Sequence, residues 1–310
     1  MALLFGTESG IYRTPDVEFD DATKALDAGR VMRVRRFGGS DGTFACTKTG
    51  LYRSMDGGET WTGLGVPREE VYAACTSPNG DRLYAGTHPA HLYVSVNSGD
   101  SWRELEGLQE LPSRDDWYTP RHRNEAHIRS LDTHPDAPHR VIAGVEVGGV
   151  HLSEDEGVTW TERRDGVHDD VHHVLVLGSA EYIASCGDGL YRTRDAGHSW
   201  MRLDGDLSRR YFREAIVHDG RLYAAAARSS PGTWSGDSGA DAALFVSDDD
   251  GGTFSTPDYP GKPREVVLAW AVADDRVVAG TNDGRALVES NGEWETVGRL
   301  PSAIRSLCAT

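Results

Sequence analysis

An eight-residue pattern, Ser/Thr-x-Asp-x-Gly-x-Thr/Ser-Trp, returns along the chain and restricts its fold more than any other feature. It first appears as Ser54-Met55-Asp56-Gly57-Gly58-Glu59-Thr60-Trp61. Further copies start at Ser95 (with Asn97 for the Asp), Ser153, Thr193 and Ser247 (with Phe254 for the Trp), and a shortened one runs Glu289-Ser290-Asn291-Gly292-Glu293-Trp294. Self-similarity at a spacing of about 40 residues is the mark of a repeat architecture, in which each unit buries its apolar face against its neighbours. The residue types explain themselves locally. A short carboxylate or amide can accept hydrogen bonds from backbone groups a few residues on. Gly supplies the positive φ that such a turn requires, and the Trp is expected to pack on the adjacent repeat. The box is therefore read as a structural turn.

Each box is preceded by a strand pattern such as Gly50-Leu51-Tyr52-Arg53 or Gly189-Leu190-Tyr191-Arg192. Upstream lies a second apolar run, in seven copies from Leu3-Leu4-Phe5-Gly6-Thr7 to Val277-Val278-Ala279-Gly280. A further run also has seven copies, near 33–37, 70–76, 127–133, 170–177, 211–217, 266–272 and 303–310. The last has no partner after it, and the first residues have none before them. The C-terminal strand is expected to pair with the N-terminal blade and remove the free sheet edges of an open array. The prediction is an all-β chain: one domain over 1–310, a seven-bladed β-propeller of four-stranded antiparallel blades.

The boxes resemble the Asp-box (BNR) repeat of sialidases, sortilin-type receptors and photosystem assembly factors of the Ycf48 type. The resemblance covers nearly the whole chain and implies a propeller. It also implies that the boxes lie on the face away from the ligand site. It does not select a function, since enzymes and pure binders share the repeat.

The formal net charge of -17, from 49 acidic against 32 basic residues, opposes nonspecific nucleic-acid binding. Lys24, Lys48 and Lys262 are the only lysines, a composition that suits solubility in concentrated salt. No apolar run is long enough to span a membrane, and no signal-peptide core follows Met1. A cytoplasmic monomer is expected, with Cys46, Cys75, Cys186 and Cys308 as buried free thiols. The period is broken after Thr14, where a polar stretch to Ala28 replaces the box, and by insertions at 104–126 and 228–242. Both insertions are expected on the face opposite the boxes, where loops of that length serve function.

Inner strands of a propeller line its channel. Aligned by their spacing to the second strands, Arg35, Tyr72, Arg129, His172, Arg213, Leu268 and Arg305 fall in one column. Arg33, Glu70, His127, Asp170, Tyr211, Val266 and Ala303 stand two residues earlier on the same side. The residues after the second strands give a third ring with Glu8, Lys48, His88, Glu146, Asp188, Arg228 and Asn282. Permanently charged, fork-shaped guanidinium groups in one ring suit a carboxylate or phosphate; pairing with Glu70, Glu146, Asp170 or Glu214 is the alternative. The first reading is a ligand-binding or assembly propeller taking an anionic small molecule, an acidic sugar or a peptide segment. Its ligand residues would be Arg35, Tyr72, Arg129, His172, Arg213, Arg305 and Arg228. The alternative is an exo-acting, sialidase-like glycoside hydrolase with Glu146 as a desolvated general acid and Asp170 as the second carboxylate. A third reading gathers His122, His127, His168, His172 and His173 with those carboxylates as a metal-dependent hydrolase. No cofactor is assigned, and no metal ligand is committed to.

Overall fold

Seven sheets stand around one channel, because every inner strand can bury its flanks only against the inner strands on either side. A computed structural model describes residues 1–19 and 22–310. The inner strands are Val31–Arg36, Val71–Thr76, His127–His134, Val171–Val176, Tyr211–His218, Val267–Ala273 and Ile304–Ala309. Each touches the next, and the last touches the first, so the cycle closes with seven members. Blade 1 combines the final strand with Leu3–Thr7, Gly10–Thr14 and Thr23–Leu26; blades 2 to 7 follow in chain order. Closure is antiparallel, with Leu3 opposite Ala309 and Phe5 opposite Leu307. The expected fold is the observed one.

The boxes join third to fourth strands. Asp56 Oδ1 accepts from the Glu59 and Thr60 backbone N–H groups at 3.0 and 2.9 Å, and Oδ2 accepts from the Thr60 hydroxyl at 2.6 Å. Ser54 Oγ accepts from the Gly58 N–H at 2.8 Å. Asp155, Asp195 and Asp249 repeat the bonds to the Thr or Ser backbone and hydroxyl; Asn97 Oδ1 likewise accepts from the Ser101 N–H, but its Nδ2 donates to the Ser101 hydroxyl. Gly58 has φ 88°, and a Cβ there would lie 2.4 Å from Leu4 of the preceding blade. Glycine is therefore required twice over, for the turn and for the approach of the next blade. The box tryptophans pack, as expected, against clusters that include the preceding blade, such as Leu4 and Ile11 for Trp61 and Leu92 and Leu105 for Trp160, but their indole N–H groups divide. Trp102 and Trp200 reach the preceding blade, donating to Leu64 O and Arg163 O, whereas Trp61 and Trp160 donate to Gly58 O and Gly157 O of their own boxes. All four rings are half-buried. The shortened copy is a two-residue hairpin: Asn291 (φ 54°) and Gly292 (φ 85°) turn between Ser290 and Glu293. Part of the polar stretch expected after Thr14, Asp20 and Asp21, lies outside the described residues. The four cysteines are free and buried.

Every inner strand carries a β-bulge at the same place, after Val31, Val71, Ile128, Val171, Phe212, Val267 and Ile304. A bulge inserts a residue that the partner strand does not match and re-aims its side chain. Buried apolar residues consequently recur three apart: Val31 and Val34, Val71 and Ala74, Ile128 and Leu131, Val171 and Val174, Phe212 and Ala215, Val267 and Trp270, Ile304 and Leu307. They pack into the preceding blade, where Gly6, Gly86, Gly144 and Gly280 leave room; a Cβ on Gly86 would lie 2.6 Å from Ile128.

Blade 6 is the exception to four strands. Among the described residues its sheet has three, and only the bridge Val246–Ser255 marks where a fourth would run.

Candidate functional site

The bulge residues form the true inner column: Met32, Tyr72, Arg129, His172, Arg213, Leu268 and Arg305. Six of the seven positions read from sequence are correct. Arg35 is not, because Met32 holds the blade 2 position and Arg35 lies three residues further down the strand. There its Nη2 meets His173 Nε2 at 2.6 Å, away from the mouth. Arg228 is also misplaced. Ala227 pairs with Tyr211, and Arg228, one residue on, points to the opposite side. Arg228 binds Asp241 and lines a separate groove beside Arg209 and Lys262. Asp188 is displaced likewise. Gly187 is the residue beside Asp170, so close that a Cβ would meet Asp170 Oδ2 at 2.1 Å.

Below the bulges the channel is plugged. Arg33 crosses from blade 2 and donates to Glu214 Oε1 of blade 6 at 3.1 Å and to the His172 carbonyl of blade 5 at 2.9 Å. Burial depresses the Arg33 guanidinium to about 10 while Glu214 opposes the shift, and it stays charged at neutral pH. His173 accepts from Arg35 through Nε2, because a guanidinium only donates. Its proton therefore sits on Nδ1, which is buried without a partner. Burial, then Arg33 and Arg35, hold His173 neutral.

Above the plug lies a cavity of about 20 Å³, the room one water occupies, lined by Arg33, Tyr72, Arg129, Arg213, Leu268 and Arg305. Arg129 binds Glu146. His127 Nε2 reaches the same carboxylate at 3.1 Å and His122 Nε2 at 3.5 Å. Arg305 binds Glu8, which Arg30 also holds at 2.6 Å. Arg213 makes no ion pair among the described residues, and its one hydrogen bond runs to the Tyr211 hydroxyl at 3.3 Å.

Glu146 and Asp170 do come together. They form an isolated bridge, and their nearest oxygens lie within 4.8 Å. The expected protonated general acid is not there. Burial would raise the Glu146 carboxyl, but Arg129, then His127 and a hydrogen bond from His122, outweigh it and hold it well below the usual carboxylate range. Burial also pushes Asp170 up, and the neighbouring His172 turns the net shift downward, although Asp170 Oδ1 is buried without a hydrogen-bond partner. Burial keeps His127 neutral, down to about 4. His172 Nδ1 donates to the Phe212 carbonyl, which turns Nε2 toward Asp170 at 3.4 Å. Two donor sets, His122–His127–Glu146 and Glu146–Asp170–His172, have metal-ligand composition. Arg129 already neutralises their shared carboxylate, so an ion would enter beside a fixed positive charge.

The two insertions lie at this mouth, as expected from their place in the chain. Leu105, Leu108, Leu111 and Trp117 of the first are buried in the core of blades 3 and 4. Its short 3-10 helix Pro120–His122 carries His122 to Glu146 and Arg121 to the second insertion, where Nη2 meets Ser230 Oγ at 3.1 Å. Trp234 of that second insertion packs edge-on against Tyr211, 5.9 Å between centroids.

No protein-family model and no curated protein sequence matches the chain. Solved structures do. A GH74 enzyme from Niastella koreensis superposes with a TM-score of 0.65 at 18% identity, over 86% of this chain and 45% of its own. The GH74 xyloglucanase from Xanthomonas campestris gives 0.65 at 17%, over 96% and 46%. YCF48 bound to D1 peptide gives 0.62 at 16%, over 96% of this chain and 83% of that one. The chain thus spans less than half the length of these GH74 proteins. At such identities the likeness establishes the propeller and nothing finer.

Proposed function

We propose that the chain is an Asp-box propeller of the binding or assembly kind, and that its channel mouth receives an anionic group of a partner at Arg213. One observation carries the reading. Of the four arginines lining the cavity, Arg33, Arg129 and Arg305 each hold a carboxylate, while Arg213 holds none. A half-buried guanidinium with only a phenol for company has donors to offer. A cavity of this size excludes a whole sugar. The likeness to YCF48 with its bound D1 peptide, over most of both chains, supports a peptide segment as that ligand.

Glycoside hydrolysis is the second reading, favoured by the closeness of Glu146 and Asp170 and by the GH74 neighbours. It ranks lower because two ionised carboxylates provide no proton donor for a leaving group. Thermal melts with increasing succinate test the first reading. Wild type should be stabilised, by about 2.7 kcal/mol at a hundredfold excess over Kd. Arg213→Ala should melt like wild type without succinate and lose the response. Wild type that ignores succinate, or release of sugar from xyloglucan, would overturn it.

A further inference from the structure

Beside the channel mouth the fold turns two electron-pair donors toward each other. The bulge after Val171 re-aims His172, whose Nδ1 bonds the Phe212 carbonyl at 2.5 Å. A carbonyl only accepts, so Nδ1 carries the proton and the neutral ring presents a lone pair at Nε2. That lone pair lies 3.4 Å from Asp170 Oδ1. The Asp170 oxygen is itself buried, and among the described residues no hydrogen-bond donor meets it. Its carboxylate is fixed from the other side, because Oδ2 takes the space that a Cβ on Gly187 would fill. Two lone pairs so arranged repel each other unless a cation joins them.

Charge and distance both suit a metal ion as that cation. Glu146, the bridge partner of Asp170, puts a third donor atom within 4.8 Å of the other two. Arg129 answers the Glu146 charge, but no arginine or lysine pairs with Asp170 among the described residues. Two carboxylates against one guanidinium leave negative charge for a dication to meet. Zinc binds imidazole nitrogen and carboxylate oxygen at about 2.0–2.2 Å, and a tetrahedron then holds neighbouring ligand atoms about 3.4 Å apart. His172 Nε2 and Asp170 Oδ1 already have that span. The bond from Nδ1 to Phe212 is the outer support that metal-binding histidines ordinarily have. His127, the buried histidine of the other donor set on Glu146, lacks it, since its Nδ1 has no partner.

We propose that His172, Asp170 and Glu146 form a binding site for a zinc-class divalent ion, with a fourth position left to water. Arg129 stays on Glu146 and tempers the affinity rather than blocking the ion, because Asp170 supplies the charge that is not yet answered. Magnesium and calcium, which take oxygen ligands, make poorer use of the imidazole. The site goes beyond the reading given to Arg213 and does not rest on it.

Calorimetric titration of chelator-treated protein with zinc chloride, in neutral buffer free of succinate, tests it. Wild type should take up a single equivalent, and a large excess of magnesium should not displace it. Asp170→Asn keeps the shape and removes the charge. It should weaken zinc binding at least about a hundredfold, the upper end of what losing an outer support costs. His122→Ala, in the other donor set, should bind zinc like wild type. Cobalt(II) in place of zinc should show the intense visible bands of a tetrahedral site. Arg213→Ala should keep the zinc while losing the succinate response, so the two readings fail separately. No uptake by wild type, full uptake by Asp170→Asn, or loss of uptake in His122→Ala would each overturn the proposal. Nitrogen NMR of the metal-free protein gives an independent check. A His172 ring protonated on both nitrogens at neutral pH would make the pair with Asp170 an ordinary ion pair and would also overturn it.

Discussion

The channel and the rim of blade 6 handle charge in opposite ways, although His127 Nδ1, Asp170 Oδ1 and His173 Nδ1 in the channel are buried without hydrogen-bond partners. In the channel, Arg33, Arg129 and Arg305 meet Glu214, Glu146 and Glu8, and even backbone groups find side chains: Val34 N–H donates to Ser306 Oγ at 2.9 Å and Val174 N–H to Ser130 Oγ at 3.1 Å. At the rim the Tyr259 hydroxyl is left over, and Arg209 and Arg228 share the single carboxylate Asp241. Of the arginines that look most like a binding site in sequence, Arg35 joins Arg33 in tying blades 2, 5 and 6 together, while Arg129 and Arg305 pair within their own blades. Among the described residues Arg213 is the cavity arginine left without a carboxylate. Buried charge is strongly destabilising when stripped of one partner, so a ring of paired charges is scaffold first.

Acid should separate the two regions most. Burial holds His127 beside the channel, and His151 on the third strand of blade 4 against Trp117, down to about 4, against an unfolded value near 6.5. Because both folded values are lowered, their contribution is complete above pH 6.5 and is lost as the pH falls toward 4, where only the unfolded chain takes the protons. The loss is roughly 3 kcal/mol for each histidine, to be read from denaturant midpoints at pH 7 and 4.5. Unchanged midpoints would mean that water and protons reach the channel freely. Next comes Glu214→Ala, which strands Arg33 and Arg35 and should cost about 3–5 kcal/mol in urea unfolding; a loss below 1 kcal/mol would make the plug no stronger than a surface pair. Ser306→Ala leaves the buried Val34 N–H without an acceptor and should cost about 1–3 kcal/mol, with an unchanged m-value. Tyr259→Phe at the rim removes a hydroxyl that bonds to nothing, and its effect should stay within about 0.5 kcal/mol. A large loss there would show that the hydroxyl has a partner after all.

The architecture was legible because turn chemistry repeats: Asp, Gly and Trp at fixed offsets mark one end of each blade, whatever the loops do. The channel was less legible for an equally definite reason. Alternation is the rule for a flat strand, and one bulge shifts everything after it. The hairpins after Met32, Arg129 and Arg213 differ in length, so spacing to the second strand could not place Arg35 or Arg228. A better signal was present in Val31-x-x-Val34, Val71-x-x-Ala74, Ile128-x-x-Leu131 and Val171-x-x-Val174, a three-residue recurrence that regular strands do not make. Pairing of a ring arginine with Glu146 was legible as an alternative and Arg129 makes it, but His122 reaches the same carboxylate from an insertion that no spacing could place. Pro257 is visible in sequence, but that its missing N–H ends the fourth strand of blade 6 depends on knowing that Leu64, Leu105 and Leu203 supply a rung at the same position.

The pairing of Leu3–Thr7 with Ile304–Ala309 also sets an order of events. During synthesis six blades can assemble as their residues emerge, but the first must wait for the last strand of all. Until then Leu3, Leu4 and Phe5, all buried in the finished ring, stand at a bare strand edge. Joining segments this distant in sequence is the step that long loop closure makes slow. The open ring is therefore the species most exposed to misassembly, and refolding should be rate-limited by this one seam.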